Sequence, residues 1–324
     1  MFKWGVIGTG SIANTVFGQI TGSGRHCAVA VYSRTLSKAE KFAKKFNAVC
    51  YDDIEKFFAD ERMDAVYIAT PHSAHYRYLT ECINHNVPVL TEKSFTVNAR
   101  QAEAVFQLSK EKGVFVCEAM WTRFQPVIKD VIKWIEDGAI GELRGFDGAF
   151  SMPLQICKPF VSERVYKAEY AGGALLDLGV YPVSIAEMLF GVPDKVVCKQ
   201  IIEENVDLED KIELYYGNAK CNLSCTFKGL KSFTGTIYGT KGKIVIPMFT
   251  RPRKAVLYAG GKKVGVKKAE NSYVFQFDKA EEDIRKGLIE SSVMKAANTI
   301  NVMRIMDECR KQNGLVYPER IEKI

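Results

Sequence analysis

Residues 2–13 read FKWGVIGTGSIA, an apolar stretch that runs directly into Gly8, Gly10 and the small residue Ala13. In such a strand-to-helix turn the first glycine permits a tight turn and the second lets the backbone approach a diphosphate. The third small residue lets the helix pack closely on the strand. A second apolar run, Cys27–Tyr32, follows at the spacing of a βαβ unit. The sequence therefore predicts a dinucleotide site at the helix N-terminus, formed by Gly8, Thr9, Gly10, Ser11 and Ile12.

The end of the second apolar run indicates which dinucleotide binds. NAD-binding proteins usually place an Asp or Glu there for the ribose 2′-hydroxyl, whereas an Arg accommodates the 2′-phosphate of NADP. This chain carries Ser33, Arg34 and Thr35, with Lys38 one turn further on, and has no carboxylate before Glu40. A guanidinium can bind a phosphate through two hydrogen bonds. These residues predict NADP(H) rather than NAD(H); alternatively, Arg34 only ends the strand and lies in solvent.

The length and composition are typical of a soluble globular protein with two domains. The chain has 324 residues, of which 47% are hydrophobic and 26% charged, and this is too long for one doubly wound unit. No apolar run approaches the ~20 residues that span a bilayer. The first strand begins at once, which leaves no room for a signal peptide. Nine cysteines without a CxxC spacing indicate reduced thiols, and so a cytoplasmic protein.

The net charge of +7 is modest and spread along the chain. Its densest run, Lys262–Lys263 and Lys267–Lys268, flanks a glycine-containing segment that is typical of a hairpin. Lysines on a sheet edge discourage pairing with other chains. We favour this interpretation over a nucleic-acid-binding patch.

The first third of the chain alternates strand and helix patterns, the clearest helix being Ala99–Lys112. Further strands are predicted at Ala48–Tyr51, Ala65–Thr70, Pro88–Thr91 and Val114–Glu118. This alternation predicts a domain of the α/β class, a doubly wound parallel sheet of Rossmann type, over residues 1–118. Ligands bind beyond the carboxyl ends of such strands. The residues there are therefore candidates for a site: Thr70, Pro71, His72, Glu92, Lys93, Ser94 and Glu118.

Beyond residue 118 the pattern changes. Helices are predicted at Pro126–Asp137, Gly173–Leu189, Asp278–Ile289 and Ala296–Gln312. Several β-rich runs separated by turn signals lie between Lys195 and Val266. Consecutive strands favour an antiparallel sheet, so residues 119–324 are predicted to form a second domain of the α+β class.

Lys93 and Tyr181 together suggest acid–base chemistry. The stretch 172–182, GGALLDLGVYP, places Asp177 and Tyr181 four residues apart on one helical face. An unperturbed Tyr has a pKa of about 10 and exchanges protons poorly at neutral pH. A neighbouring ammonium favours the phenolate, so Lys93 beside Tyr181 is expected to lower that pKa and make a usable proton relay.

At these residues the chain resembles the Gfo/Idh/MocA oxidoreductases over essentially its full length. The motifs that carry the resemblance are GVIGTGSIA (5–13), IATPHSAHY (68–76), EKS (92–94), GGALLDLGVYP (172–182) and the segment from 290 to 318. The stretch EAMWTRF (118–124) and the tyrosine at 181 look most like the dimeric dihydrodiol dehydrogenases and their bacterial sugar-reductase relatives, of the 1,5-anhydrofructose reductase type.

The resemblance implies roles for several residues. Lys93 would bind the reacting oxygen, Tyr181 would donate or accept the proton, and Asp177 would help to hold the substrate. Glu92 and Lys93 would lie at the nicotinamide end of the cofactor. The cofactor groove would also be lined by Thr70, Pro71, His72 and His75. The second domain would contain a large, open, mostly antiparallel sheet, through which such proteins often form homodimers or higher homo-oligomers.

Two departures from the family pattern matter. Ser94 replaces the proline that follows the lysine, which removes a rigid turn constraint and is expected to loosen Lys93. Tyr181 replaces the histidine of inositol-type members, which makes inositol substrates less favoured. All four histidines fall within the first 85 residues, so the second domain has no imidazole to offer. His72 and His75 lack a third ligand nearby, which favours a groove lining or solvated side chains over a metal site.

Trp121, Arg123 and Phe124 follow the last strand pattern of the first domain, at the domain border. An aromatic ring there can stack on the apolar face of a sugar or arene. We expect Trp121 and Arg123 to bind substrate; alternatively, Trp121 and Phe124 only fasten the helix between the domains.

These observations predict an NADP(H)-dependent oxidoreductase without a metal, acting on a secondary alcohol or ketone of a cyclic polyol, pyranose or trans-dihydrodiol. Three alternatives stay open. A glycosidase on the same fold could use its nicotinamide without net turnover. A non-catalytic sensor of dinucleotides or sugars could signal through its sheet. A scaffold could use the same residues only for packing.

Overall fold

Two sheets organise the chain in a computed structural model that describes residues 1–157 and 163–324. Sheet A consists of β1 (Phe2–Ile7), β2 (His26–Tyr32), β3 (Val49–Tyr51), β4 (Ala65–Ile68), β5 (Val89–Glu92) and β6 (Val116–Ala119). All its neighbours pair in parallel, in the order β3-β2-β1-β4-β5-β6. This is the doubly wound order of a dinucleotide-binding fold, and the predicted Rossmann-type sheet is confirmed.

The helices around sheet A begin and end where the sequence supplies caps. They are α1 (Ser11–Ile20), α2 (Leu36–Phe46), α3 (Ile54–Phe58), α4 (His75–Asn84) and α5 (Ala99–Lys112). The Asp53 carboxylate accepts hydrogen bonds from the first turn of α3, and Asn98 accepts one from Gln101 N at the start of α5. Gly113, with φ of 69°, ends α5 in the left-handed region. The predicted helix Ala99–Lys112 is reproduced at both ends.

Sheet B forms most of the second domain. Its strands are β7 (Leu143–Ser151), β8 (Lys195–Glu203), β9 (Val206–Tyr216), β10 (Ala219–Thr226), β11 (Gly235–Gly239), β12 (Gly242–Ile246), β13 (Lys254–Ala259) and β14 (Lys262–Lys268). They are ordered β14-β13-β12-β11-β7-β10-β9-β8. The neighbours are antiparallel except for β7 and β10. The predicted large, mostly antiparallel sheet is confirmed.

Strand β7 was not predicted, because it lies outside the β-rich region expected between Lys195 and Val266. Its glycines, Gly145 and Gly148, interrupt the apolar alternation by which a strand is recognised. Gly145 allows a close approach to the next strand, because a Cβ there would lie 2.2 Å from the carbonyl oxygen of Lys220. Its parallel partner β10 comes much later in the chain, so no local turn signal predicts the pairing.

The remaining helices connect the two sheets. They are α6 (Pro126–Glu136), α7 (Leu154–Cys157), α8 (Val180–Phe190), α9 (Val274–Arg285), α10 (Ala296–Gln312) and α11 (Glu319–Glu322). Helix α10 packs against α5, α8 and β8. The chain also returns to sheet A where Val116 N donates to Ile289 O at 3.1 Å. The predicted division between residues 118 and 119 falls at the end of β6, but the last part of the chain packs on both domains.

One helical stretch, Ala168–Phe190, is long and apolar enough to cross a membrane by length and composition, with a mean hydropathy of 1.4. Within its most apolar window 78% of the residues are buried inside the protein. The stretch includes α8, whose residues pack on sheet B and on α10, as a core helix does.

Candidate active site

The first half of the site is a groove at the carboxyl ends of β1, β2 and β4. It has a volume of about 590 Å³. From the first domain it is lined by Ile7, Gly8, Thr9, Gly10, Ser11, Ile12, Tyr32, Ser33, Arg34, Thr35, Lys38, Ala69, Thr70, Pro71 and Tyr78. This list contains the whole predicted glycine turn and all four residues predicted to contact a 2′-phosphate.

The backbone of this groove is shaped for a diphosphate. Gly8 has φ of +100°, and a Cβ there would lie 2.7 Å from Ala69 O, so the turn needs glycine. At Gly10 a Cβ would meet no atom within 4 Å, and no side chain caps the start of α1. The N–H groups of that first turn therefore face open space. The buried Thr70 hydroxyl, on the groove wall, has no hydrogen-bond partner within residues 1–157 and 163–324. The groove thus fits a dinucleotide.

Residues of the second domain form the opposite wall of this groove. They are Glu163, Arg164, Lys167 and Tyr170. Lys167 joins two short helical turns, Glu163–Tyr166 and Ala168–Tyr170, which carry the others. These four residues were not predicted, because they belong to no motif and lie between two predicted helices, Pro126–Asp137 and Gly173–Leu189. Lys167 lies across the groove from the strand end that carries Arg34, so both walls contribute positive charge.

The second half of the site is a cavity of about 290 Å³ that adjoins the groove. Four residues line both: Ser11, Ile12, Thr70 and Arg164. The other residues that line the cavity are Thr15, Glu92, Lys93, Trp121, Phe150, Met152, Asp177, Leu178, Tyr181, Thr250, Arg251 and Tyr273. The three predicted catalytic residues, Lys93, Asp177 and Tyr181, are therefore brought together at the end of the groove.

An ion pair lies at the centre of the cavity. Lys93 Nζ donates to Asp177 Oδ1 at 3.1 Å and to Asp177 O at 2.7 Å, and each side chain is only 13% exposed. Arg164 Nη2 lies 3.8 Å from the same carboxylate oxygen. Burial acts to raise the pKa of Asp177, but the positive charges of Lys93 and Arg164 outweigh it and hold that pKa at about 2. Asp177 is therefore an anion at neutral pH.

The electrostatics of Tyr181 differ from the prediction. Lys93 Nζ lies over the face of the Tyr181 ring, 5.1 Å from its centre. Burial raises the pKa of Tyr181 far above its ordinary value, and the Glu92 and Asp177 carboxylates raise it further. The expected lowering by Lys93 is therefore wrong, and Tyr181 stays protonated at neutral pH. Its ring is held by an edge contact with Phe150, with centroids 5.5 Å apart.

The predicted helix Gly173–Leu189 divides in two before Tyr181. Residues Leu175–Gly179 form a wider, π-helical turn that carries Asp177, and α8 begins only at Val180. The turn is held from β9, where the Asp207 carboxylate accepts a hydrogen bond from Leu175 N. Gly173 makes room for this carboxylate, because a Cβ at its φ of +118° would lie 2.1 Å from Asp207 Oδ1. The group that approaches Gly173 closely is thus part of the protein itself.

Ser94 compensates for the missing proline through hydrogen bonds. Its hydroxyl donates to Leu176 O at 2.7 Å, next to Asp177. Its own carbonyl oxygen lies 2.9 Å from His75 Nδ1. Ser94 therefore ties the loop that carries Lys93 to the turn that carries Asp177, and a looser Lys93 stays a prediction.

Two buried carboxylates lie beside and beneath this loop. Tyr67 Oη donates to Glu92 Oε1 at 2.6 Å, and burial raises the pKa of Glu92. Glu118 accepts hydrogen bonds from Phe95 N at 3.1 Å and from Thr299 Oγ1 at 3.0 Å. Burial raises the pKa of Glu118 to about 7. Glu92 faces the cavity, whereas Glu118 supports the loop from below.

The predicted histidines lie behind the groove rather than on its surface. His72 is 2% exposed and His75 is fully buried. His72 Nδ1 lies 3.1 Å from Ala171 O, and His75 Nε2 lies 2.9 Å from Thr70 O. Burial lowers the pKa of His72 to about 3 and that of His75 to about 4. Their role in this structure is to hold backbone segments of the site in place, which corrects both the groove-lining and the solvated interpretations.

The predicted contact of Arg123 with substrate is also corrected, because Arg123 lies outside the cavity. Its guanidinium is buried, donating to Glu187 Oε2 at 2.6 Å and to the Ser184 hydroxyl at 2.8 Å. A substrate contact would require breaking this buried ion pair. Phe124 is likewise part of the core. Trp121 does line the cavity, stacked on Tyr273 with ring centroids 4.5 Å apart.

One group of three potential metal ligands occurs within residues 1–157 and 163–324: Glu55, Glu81 and His85, whose ligand atoms lie within 4.8 Å of one another. None of the three lines the groove or the cavity.

Comparison with known proteins places this geometry in a family. The model of the Gfo/Idh/MocA oxidoreductase family, NAD-binding Rossmann fold, matches residues 2–120, and the Gfo/Idh/MocA C-terminal domain matches residues 128–245. Trans-1,2-dihydrobenzene-1,2-diol dehydrogenase of Mus musculus is 31% identical, with 98% of each chain covered. The scyllo-inositol 2-dehydrogenase (NADP(+)) IolU of Bacillus subtilis is 29% identical, with 98% of this chain and 99% of the relative covered.

Solved structures show the same fold. KijD10, a 3-ketoreductase from Actinomadura kijaniata in complex with NADP and TDP-benzene, superposes with a TM-score of 0.85 at 21% identity, over 96% of this chain and 97% of that one. Aldose-aldose oxidoreductase from Caulobacter crescentus, complexed with glycerol, gives a TM-score of 0.86 at 19% identity, over 98% and 99%. The chain therefore belongs to the Gfo/Idh/MocA family of oxidoreductases.

Proposed function

We propose that the protein is an NADP(H)-dependent oxidoreductase that interconverts a secondary alcohol and a ketone on a pyranose, cyclic polyol or trans-dihydrodiol. The observation that carries the proposal is the continuity of the groove with the cavity. The Lys93–Asp177 pair and the Tyr181 ring lie at the end of a groove that is shaped for a dinucleotide. Thr70 and Arg164 line both the groove and the cavity. A nicotinamide at that end would face the three side chains.

The residues present fit a dinucleotide, and when bound it supplies the hydride. The backbone of Gly8–Ile12 would hold the diphosphate at the start of α1. Arg34 and Lys38, with Ser33 and Thr35, would bind the 2′-phosphate, since no carboxylate repels it there. A guanidinium and a phosphate match in shape and charge. These side chains favour NADP(H) over NAD(H).

The chemistry of the chain's own residues follows from their protonation states. Tyr181 is protonated at neutral pH, and burial makes it a weaker acid by raising its pKa. Its phenol would therefore donate its proton to the strongly basic alkoxide that develops as hydride reaches the carbonyl carbon. Lys93, fixed by Asp177, would place its ammonium beside that oxygen and stabilise the negative charge that develops on it. In oxidation, the deprotonation of Tyr181 would be the costly step.

The substrate class rests on the cavity walls and on the relatives. The stacked Trp121 and Tyr273 rings offer an apolar face for a sugar or cyclitol ring. Relatives named for a dihydrodiol and for scyllo-inositol are similarly distant, at 31% and 29% identity. The tyrosine at 181 disfavours inositols, whereas the relative named for scyllo-inositol favours them, so cyclic polyols stay within the proposed substrate class.

We further propose a homo-oligomer, formed through sheet B, in the cytoplasm. The open face of the sheet presents ring–lysine contacts such as Lys220 and Lys195 over Tyr215, at 5.1 and 5.8 Å. The eight cysteines whose side chains the structure describes are all free thiols, which suits a reducing compartment. Light scattering coupled to gel filtration would test the assembly: a monomer at micromolar concentration would contradict it.

A titration followed by an activity screen tests the proposed function. We expect NADPH to bind at least about tenfold more tightly than NADH, a difference of 1.4 kcal/mol, and Arg34→Gln to abolish that preference. Absorbance of the nicotinamide would then be followed against pyranoses, inositols, dicarbonyl sugars and trans-diols. Turnover with one of them supports the proposal. Tight NADPH binding without turnover of any of them would favour a sensor or a redox-neutral glycosidase, and equal affinity for NADH would refute the role of Arg34.

A further inference from the structure

We propose that Arg251 binds an anionic substituent, a carboxylate or a phosphate, on the substrate of the cavity. The inference rests on the proposed function, because it narrows the sugars and cyclitols that this centre would act on to those that carry a negative charge away from the reacting carbon.

The charged lining of the cavity is unbalanced. It contains the three cations Lys93, Arg164 and Arg251 but only the two carboxylates Glu92 and Asp177. Asp177 pairs with Lys93 at 3.1 Å and lies 3.8 Å from Arg164, and Glu92 accepts the Tyr67 hydroxyl at 2.6 Å. Both carboxylates are therefore engaged elsewhere, and neither is a partner for the third cation, the exposed Arg251 guanidinium.

The Arg251 guanidinium is the cation without such a partner. Across residues 1–157 and 163–324 its side chain makes neither an ion pair nor a hydrogen bond. Arg253, two positions on, is also exposed, but its Nε donates to Asn271 Oδ1 at 3.2 Å and it does not line the cavity. Arg253 is thus an ordinary surface arginine, whereas Arg251 faces the substrate space.

The backbone holds Arg251 at a fixed place on the rim. Its N–H donates to Met248 O at 2.7 Å, and its carbonyl oxygen accepts a hydrogen bond from Asn271 Nδ2 at 3.0 Å. The preceding residue, Thr250, is buried, and its carbonyl oxygen accepts from Thr122 Oγ1 at 3.3 Å. These bonds fix the backbone of Arg251 at the rim, and its side chain lines the cavity from there.

Arg251 lines the same cavity as the Tyr181 side chain and the Trp121–Tyr273 pair. Its positive charge acts on both tyrosines, because it lowers their pKa values against the larger effect of burial. A substrate ring on the outer face of Trp121 or Tyr273, with its reacting carbon at Tyr181, would therefore share this cavity of about 290 Å³ with the Arg251 guanidinium. A planar guanidinium binds a carboxylate or a phosphate through two parallel hydrogen bonds.

Matched substrates that differ only in charge test this inference. The NADP⁺-dependent oxidation of glucose, glucuronate and glucose 6-phosphate would be compared for the wild type, Arg251→Gln and the control Arg253→Gln. We expect the wild type to prefer one anionic sugar. Arg251→Gln should lower kcat/KM for that sugar about 10- to 100-fold more than it lowers kcat/KM for glucose, the range of hydrogen bonds to a charged group. Arg253→Gln should change neither. The sugar that responds distinguishes a carboxylate from a phosphate.

Calorimetric binding of the three sugars to the NADP⁺-loaded protein separates this inference from the proposed function. If none is oxidised but an anionic sugar binds more weakly to Arg251→Gln than to the wild type, the inference holds for binding and the oxidoreductase assignment for these sugars fails. Equal binding and equal kcat/KM for charged and neutral sugars, or equal losses for both in Arg251→Gln, would overturn the role of Arg251.

Discussion

The groove and the cavity adjoin each other but are built in opposite ways. The groove is formed by short contiguous stretches, and its key feature is backbone: a glycine turn and the start of α1. The cavity is formed by side chains that come from positions between Ser11 and Tyr273 and meet around the Lys93–Asp177 pair. Cofactor affinity should therefore depend on residues of the groove, and the chemical step on residues of the cavity.

Removing one lysine from the groove and one from the cavity tests whether cofactor affinity and the chemical step depend on separate residues. We expect Lys93→Met to lower kcat about 10²- to 10³-fold, because it removes a preorganised charge at the reacting oxygen, while the Kd for NADPH changes little. Lys38→Met should show the reverse, with NADPH bound about tenfold more weakly (1.4 kcal/mol) and kcat at saturating cofactor retained. Steady-state kinetics and NADPH fluorescence would measure the two effects. A variant that loses both together would show that the halves are not separable.

Two glycines of the groove are expected to have different roles, one in stability and one in cofactor binding. Gly8→Ala should destabilise the fold by about 1–3 kcal/mol, because its φ is +100° and its Cβ would meet Ala69 O at 2.7 Å. Gly10→Ala should leave stability unchanged, since φ is −68° and no atom lies within 4 Å. Its methyl group would instead occupy the space of the diphosphate and weaken NADPH binding. Urea unfolding and a cofactor titration would distinguish them, and normal NADPH affinity in Gly10→Ala would mean that the diphosphate binds elsewhere.

The free energy of unfolding should depend on pH through Glu118, which supports the Lys93 loop from below. Burial raises the pKa of Glu118 from 4.5 to about 7 in the folded protein. The folded state thus holds a proton that the unfolded state releases, so its stabilising contribution is complete below about pH 4.5 and is lost as the pH rises through 7. We expect the difference in unfolding free energy between wild type and Glu118→Gln to shift against the wild type between pH 5 and pH 8.5. A constant difference would contradict the raised pKa.

The smallest effect is expected at Ser94. Ser94→Ala removes the hydrogen bond to Leu176 O and should cost about 0.5–1.5 kcal/mol of stability. Because this bond joins the loops of Lys93 and Asp177, kcat should also fall slightly, with NADPH affinity retained. Thermal unfolding and kcat at saturating cofactor would be compared with Ser73→Ala, whose residue lies in the short helical turn His72–Ala74 that precedes α4. An unchanged kcat in Ser94→Ala would show that Lys93 is positioned without it.

The same difference explains what the sequence predicts well. The glycine turn, Arg34 and Lys93 carry local signals, because a turn, a strand end and a helix start are encoded within a few residues. Tyr181 and Asp177 were found together because their motif is contiguous.

The cavity's other walls are not predictable in this way. Phe150 and Met152 lie at the end of β7 and beyond it, and Arg251 and Tyr273 lie in loops whose only signal is their place in the fold. Arg123 carries a charge that suggests a ligand contact, but its partner Glu187 lies on a helix 64 positions away. The raised pKa of Tyr181 also depends on burial, which no spacing along the chain reveals.

We propose that Tyr181 delivers the proton in the cavity and that residues of the groove determine the affinity for the cofactor. The most direct test is a single-turnover reaction of Tyr181→Phe loaded with saturating NADPH and mixed with the best ketone substrate, followed by loss of NADPH fluorescence. We predict a normal Kd for NADPH and a rate of hydride transfer about 10²- to 10⁴-fold lower than that of the wild type, the usual contribution of a positioned general acid. A rate equal to the wild type's would contradict the account, and would mean that Tyr181 only packs against Phe150 while another group supplies the proton.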